Sequence, residues 1–397
     1  MSAPAIRVGL VGAGFAARFH WASFRHLRGI DARVTAVHSR TPARAAAFAA
    51  ERGIRACASF DELVREVAVV LVCAPGYAHE EYCVAAARAG RHVIVEKPFT
   101  GYYGPSPLPA DWKGNTHPKT EMLAAATASA RRMAEAVARA GVKLMYAENW
   151  VYAPAVQKEA EIITATKAQL LWLIGEESHS GSHSPAYGVW REAGGGSLVG
   201  KGCHPLTAAL YLKRVEGLAA GGAAIRPASV TARTHEITRL PGYRDRGHLR
   251  TDYHDVEDFG LIHVVFTDGT VADIFSCEIV MGGVHNWIEV FGNNHRNRLN
   301  LNPIDACTLY NPEPDQLKDV YIVEKLGTKA GWSHPAPDED WQQGYPQEIQ
   351  DFMEAVHHDR APLCGIDLAC DTVTTLYAAY LSAERRGAEV PVELIGG

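Results

Sequence analysis

The mostly apolar run Ile6-Arg7-Val8-Gly9-Leu10-Val11 leads directly into Gly12-Ala13-Gly14-Phe15-Ala16-Ala17. A strand that turns at once into a helix through two glycines leaves few folds open. The first glycine permits the tight turn, the second lets a backbone approach a diphosphate, and the small Ala17 lets helix pack on strand. The start of that helix offers free N–H groups to phosphates. The motif therefore predicts a dinucleotide site, with Gly12, Gly14, Phe15 and Ala16 as cofactor-binding residues.

The next residues continue the pattern. Val34 to Val37, Val67 to Cys73, His92 to Val95 and Lys143 to Tyr146 read as strands, nearly all apolar, as strands buried on both faces are. Between them Ala16 to Leu27, Pro42 to Arg52, Phe60 to Glu66, His79 to Ala89 and Thr120 to Ala140 read as helices. This is the α/β signature of a doubly wound parallel sheet over residues 1–149. Residues 101–118 break it with four prolines, three aromatics and no hydrophobic period. So long a loop is expected to be a lid or an oligomer arm.

Residues 150–397 read as a second α/β domain with an open, mainly antiparallel sheet. Leu170 to Glu176, Ser229 to His235, Phe259 to Phe266, Thr270 to Glu278 and Asn286 to Gly292 alternate as half-buried strands do, and Asp268-Gly269 suits a two-residue hairpin turn. Gln347 to His358 and Asp367 to Arg386 close the chain as amphipathic helices.

Composition narrows the partners. With 39 basic and 45 acidic residues the net charge is −6, which gives no field for nucleic acid or an anionic membrane. The eight cysteines form no CxxC pair, and the apolar runs are far below the roughly 20 residues of a membrane helix. Reduced thiols in a cytoplasm are the expected setting, with no metal, no nucleic acid and no membrane.

The second strand should end where an acidic residue would hold the ribose 2′-hydroxyl of NAD. Ser39-Arg40-Thr41 stand there instead, and an arginine beside a hydroxyl leans to the 2′-phosphate of NADP; a solvated helix-capping arginine is the other reading. Ala74-Pro75, followed by His79, and Glu96-Lys97-Pro98 fall at the carboxyl ends of strands, where ligands of such sheets bind. A lysine there can hold or shuttle a hydroxyl proton during hydride transfer, although Glu96 and Lys97 alone also read as a surface ion pair. The segment 175–187 gathers Glu177, His179 and His183 with several serines, suited to contacts with substrate hydroxyls and, less readily, to a metal with His204.

These motifs, together with Glu148-Asn149-Trp150, Gly194-Gly195-Gly196 and Gly202-Cys203-His204, resemble the Gfo/Idh/MocA oxidoreductases, the relatives of glucose-fructose oxidoreductase and inositol dehydrogenase. The resemblance implies a Rossmann domain, a second domain with an open sheet, and a sugar or polyol bound between them. It implies NAD or NADP as cofactor, Lys97 as a catalytic residue, and Ala74, Pro75, His79, Glu96, Asn149, Trp190 and Arg191 beside the cofactor. It departs from the family's Asp-x-x-x-His block: Gly200 stands at the acidic position, Lys201 follows, and Thr207 replaces a second common aspartate. Lys97 and His204 remain as acid and base. His179, His183 and Lys201 join them as substrate-binding residues, and a cation where an acid is usual suggests an anionic sugar such as a uronate or sulfonate. The resemblance admits a second chemistry, a glycoside hydrolase with tightly bound NAD that oxidises C3 transiently, eliminates the aglycone and returns the hydride. A homo-oligomer assembled through the second sheet is expected.

Overall fold

The computed structural model describes residues 5–302, 306–322 and 328–395. Strands β1 (Ile6–Val11), β2 (Ala32–His38), β3 (Arg55–Ala56), β4 (Val69–Val72), β5 (His92–Glu96) and β6 (Leu144–Ala147) form one sheet in the order β3-β2-β1-β4-β5-β6. Every pairing in it is parallel. Helices α1 (Phe15–Ser23), α2 (Pro42–Arg52), α3 (Phe60–Glu66), α4 (His79–Arg88) and α5 (Lys119–Ala140) link the strands. All of β4 and β6 is buried, which is why these strands read as unbroken apolar runs. The strand order reverses between β1 and β4, and a crevice for ligand opens at such a switch point.

The second half contains α6 (Pro154–Thr166), β7 (Leu170–Ser178), α7 (Trp190–Ala193), α8 (Cys203–Ala219), β8 (Pro227–His235), β9 (Phe259–Phe266), β10 (Val271–Cys277), β11 (His285–Gly292) and β12 (Arg296–Asn300). A small hairpin, β13 (Leu309–Asn311) with β14 (Gly331–Ser333), precedes α9 (Glu339–Gln342), α10 (Tyr345–His357), α11 (Ile366–Glu384) and β15 (Val390–Pro391). Seven of these strands form a sheet in the order β12-β11-β7-β10-β9-β8-β15. It is antiparallel except for the β7–β10 pair. Helices α8 and α11 pack on one face of this sheet.

One local expectation changes. The β9–β10 hairpin closes between Phe266 and Thr270 around three residues, and only Gly269 is left-handed, at φ +82°. Asp268 instead accepts from the Thr270 N–H and hydroxyl, so a three-residue loop replaces the two-residue turn. Helix α8 is an element that the sequence pattern did not reveal. It starts inside a glycine-rich block with Pro205 in its first turn, where proline is tolerated but hides the helical start.

The halves are not separate bodies. Helix α10 packs on α1, and α11 packs on α5. The 101–118 loop is a clasp: Tyr102 N–H donates to Tyr377 Oη (2.6 Å), and Trp190 Nε1 donates to the Tyr102 carbonyl (3.0 Å). Asp255 accepts from the N–H groups of Gly114 (2.7 Å) and Trp190 (2.8 Å). Lys119, buried beneath, donates to the carbonyls of Gly114, Asn115 and His117.

Candidate active site

The glycine turn does two different jobs. Gly12 has φ +105°, and a Cβ there would lie 2.6 Å from the Cys73 carbonyl oxygen, so this glycine lets β1 and the end of β4 meet. Gly14, at φ −95°, would carry a Cβ into open space, with no atom within 4 Å. It heads α1, whose first turn has no side-chain cap. An open cradle over uncapped N–H groups fits a diphosphate. Phe15 beside it is 68% exposed with its ring edge-on to Phe19, while Ala17 is fully buried against the sheet.

Several expected cofactor contacts are engaged within the protein. The Arg40 guanidinium donates to the Tyr77 hydroxyl and lies 5.0 Å above that ring, and Ser39 Oγ accepts from the Thr41 N–H. His79 is buried, with Nε2 at 2.8 Å from the Ala74 carbonyl and Nδ1 at 2.9 Å from that of Pro98. Its ring thus staples the end of β4 to the end of β5. Burial pushes the His79 pKa down, against the pull of those carbonyls. Asn149 Nδ2 donates to the Gln343 carbonyl, and Trp190 is buried in the clasp. Arg191 projects from α7, its side chain 57% exposed and 3.7 Å from Glu192.

Lys97 and His204 come together. Lys97 Nζ donates to the Gly200 carbonyl at 2.9 Å, in the π-turn Leu198–Gly202 that leads into α8, and lies 5.7 Å from the Tyr187 ring centre. Burial works against its charge, but Tyr187, Cys203, Glu177 and Glu96 outweigh burial and raise the pKa well above that of an ordinary lysine. Lys97 is an ammonium. Glu96 behind it accepts from His20 Nε2 (2.7 Å) and from the Lys97 N–H (2.8 Å). Burial pushes the Glu96 carboxyl up; His20 and Lys97 more than reverse this and leave it below the usual carboxylate range.

His204 Nδ1 is hydrogen-bonded to Glu148 Oε1, its Nε2 lies 3.7 Å from Glu177 Oε2, and its ring stacks on Trp150 at 5.9 Å. A proton on Nδ1, held by the buried Glu148, leaves Nε2 as an acceptor. Glu177 is pushed up by burial, moderated by His204, Lys97 and Lys201. The missing acids at 200 and 207 are thus replaced by carboxylates from β7 and from the residue after β6. Sequence reading placed Glu177 in a segment suited to substrate hydroxyls and, less readily, to a metal, and gave Glu148 no role of its own. The signal for both lay in their positions, one and two residues past the predicted strands that end at Glu176 and Tyr146.

The substrate role expected of Lys201 does not match its surroundings. The residue is 1% exposed; its Nζ is ion-paired with Glu278 and donates to Ser182 Oγ at 3.1 Å. Its charge is already neutralised by a buried carboxylate. His179 is buried, with Nδ1 accepting from the Gly181 N–H, whereas His183 is exposed on the loop above.

The ligand atoms of Glu148, Cys203 and His204 lie within 4.8 Å of one another, a different set from the histidine-rich one weighed as a metal site. The His204–Glu148 hydrogen bond accounts for the approach of two of them. Burial drives the Cys203 pKa well up and keeps the thiol neutral.

Comparison with known proteins bears on the first domain and on the fold. Residues 6–104 match the model of an oxidoreductase family with an NAD-binding Rossmann fold. A UDP-N-acetylglucosamine 3-dehydrogenase of Acidithiobacillus ferrooxidans is 37% identical over 98 residues, 24% of this chain and 29% of that protein. An inositol 2-dehydrogenase of Leifsonia xyli subsp. xyli is 39% identical over 99 residues, again 24% of this chain and 29% of the relative. The aligned stretch thus spans less than a third of these curated relatives. Over the whole chain the fold is shared with GenD2 from gentamicin A biosynthesis, solved in complex with NAD, at a TM-score of 0.77 and 24% identity, covering 98% of this chain and 97% of that one.

Proposed function

We propose that this chain is a nicotinamide-dependent oxidoreductase of the Gfo/Idh/MocA type that acts on a secondary hydroxyl of a sugar or polyol; the match of residues 6–104 to an NAD-binding Rossmann model of that family supports the reading. One observation carries the reading. An oriented imidazole, His204, stands between Glu148 and Glu177, and Lys97 is tied to the same turn at the carboxyl end of the parallel sheet. A nicotinamide nucleotide held with its diphosphate over the Gly14 cradle would supply a hydride acceptor for the carbinol carbon. His204 Nε2 takes the hydroxyl proton, and Glu148 holds the resulting imidazolium. The Lys97 ammonium donates to the same oxygen as negative charge develops on it. Glu177 accepts from a neighbouring substrate hydroxyl.

With Lys201 paired to Glu278, the carboxylates favour a neutral, hydroxyl-rich substrate over an anionic sugar. Tyr77 already engages Arg40, which favours NAD over NADP. The open face of the second sheet carries Trp172 stacked on Phe291 at 4.7 Å with Trp287 nearby on β11, a surface suited to a homo-oligomer contact.

The test is NADH formation from NAD across a panel of neutral sugars, polyols and their uronates, with Lys97→Met and His204→Ala as controls. A stoichiometric rise in NADH that both variants abolish supports the reading. Release of an aglycone from a glycoside without NADH accumulation overturns net oxidation in favour of redox-neutral cleavage.

A further inference from the structure

The opposite edge of the parallel sheet carries a feature that the site does not use. A cleft of about 880 Å³ lies at the amino ends of the strands, and Arg7, Arg33, Arg55, Arg65 and Arg91 line it with no acidic side chain among the lining residues. The arginines come from β1, β2, β3, the last turn of α3 and the residue before β5. Arg55 is ion-paired with Glu62 and Glu66, and Arg33 stands 3.9 Å from Asp31. Arg7, Arg65 and Arg91 make no side-chain hydrogen bond or ion pair with the described residues, and Arg91 Nε is buried without a partner.

The register makes this clustering unusual. Arg7 and Arg33 are direct partners across β1 and β2, so two exposed guanidinium groups rise from the same face of adjacent strands about 4.8 Å apart. Like charges directly opposite one another destabilise a sheet, and β-branched residues would suit these positions better. Arg65 also suits the helix end it occupies, so the register pair and the unpartnered Arg91 carry the argument. In a chain of net charge −6 this local concentration of positive charge is built against the overall field.

The geometry points to a second ligand site here, for an oligophosphate: a chain of two or three phosphates, free or carried by a nucleotide. Planar guanidinium groups from several elements match successive phosphates bidentately. The cleft has the volume of a small-molecule site, and it lies at the far end of β1 from Gly12. Its occupant is distinct from the dinucleotide.

Calorimetry on the full-length protein saturated with NAD, which occupies the glycine cradle, tests the assignment with inorganic tripolyphosphate, pyrophosphate, ATP and sulfate. The site binds one tripolyphosphate per chain, more tightly than sulfate and less tightly as salt rises. Arg7→Gln/Arg33→Gln weakens binding at least tenfold with NAD affinity unchanged, and Arg65→Gln/Arg91→Gln does the same from the other wall. Equal affinities for ATP and tripolyphosphate identify the free phosphate chain as sufficient; tighter ATP binding identifies a nucleotide. No binding to the NAD-saturated protein, undiminished binding in both double variants, or binding of duplex oligonucleotides alone overturns the proposal.

Discussion

Alanine substitution separates the two glycines of the first turn. At Gly12 the new Cβ would meet the Cys73 carbonyl oxygen at 2.6 Å, its carbon at 2.8 Å and the Ala74 nitrogen at 3.0 Å, all backbone atoms at a sheet end that cannot rotate away. The φ of +105° adds strain of about 1–3 kcal/mol for a residue with a side chain, and the overlap adds a comparable amount. Gly12→Ala therefore destabilises by about 4 kcal/mol, a fall in melting temperature of roughly 5 °C for a cooperative unit of this size, with or without cofactor. At Gly14 neither term exists, so Gly14→Ala stays within about 1 kcal/mol of wild type in the apo state. Its effect falls on NAD, whose diphosphate needs the space the methyl group enters. Thermal unfolding with and without NAD, and NAD titration calorimetry, read both quantities. If Gly12→Ala melts with the wild type, or if Gly14→Ala binds NAD normally, the division of labour between fold and ligand is wrong.

Lys97→Met should retain NAD affinity and lose about 10²–10⁴-fold in kcat by steady-state kinetics, whereas a change confined to KM would make Lys97 a binding group. Lys201→Met strands the buried Glu278 and should destabilise by about 3–5 kcal/mol in denaturant unfolding; Lys201→Met/Glu278→Leu should recover most of that, and a neutral single variant would contradict the ion pair. Glu257, buried beneath the 194–196 glycines, has its pKa raised by burial from 4.5 to about 7, against the pull of Leu198 N–H, Tyr380 Oη and Gly196 N–H. The folded state then holds a proton that the unfolded chain has released, so the contribution of Glu257 to stability is fully present below pH 4.5 and is lost, by about 3 kcal/mol, as pH rises through about 7. That slope should vanish in Glu257→Gln, and its persistence would assign it to another group.

Most of the first sheet was legible because strands buried on both faces announce themselves as apolar runs, and glycine turns have few uses. The two-residue β3 was not, since Arg55-Ala56 is too short to show a period. At the site, Lys97 and His204 were found through residue type and position, but their electrostatic partners were not. Glu148 reaches His204 across 56 residues of sequence and Glu278 reaches Lys201 across 77, and no spacing rule encodes such contacts. Lys201 shows the consequence: a cation at an unusual position reads as a ligand for anions until its own carboxylate is located.

All fifteen residues from Leu368 to Ser382 in α11 are buried, between α5, α8 and β8. This helix, enclosed on every side, comes after α5, α8 and β8 in the sequence, so the elements that enclose it are made before it. As the chain leaves the ribosome, residues 5–150 can form their sheet, but the faces of α5 and α1 that await α11 and α10 stay open until Tyr345–Glu384 emerges. During that interval the nucleotide-binding half is a sticky intermediate, and a chain cut short before α11 leaves it permanently so.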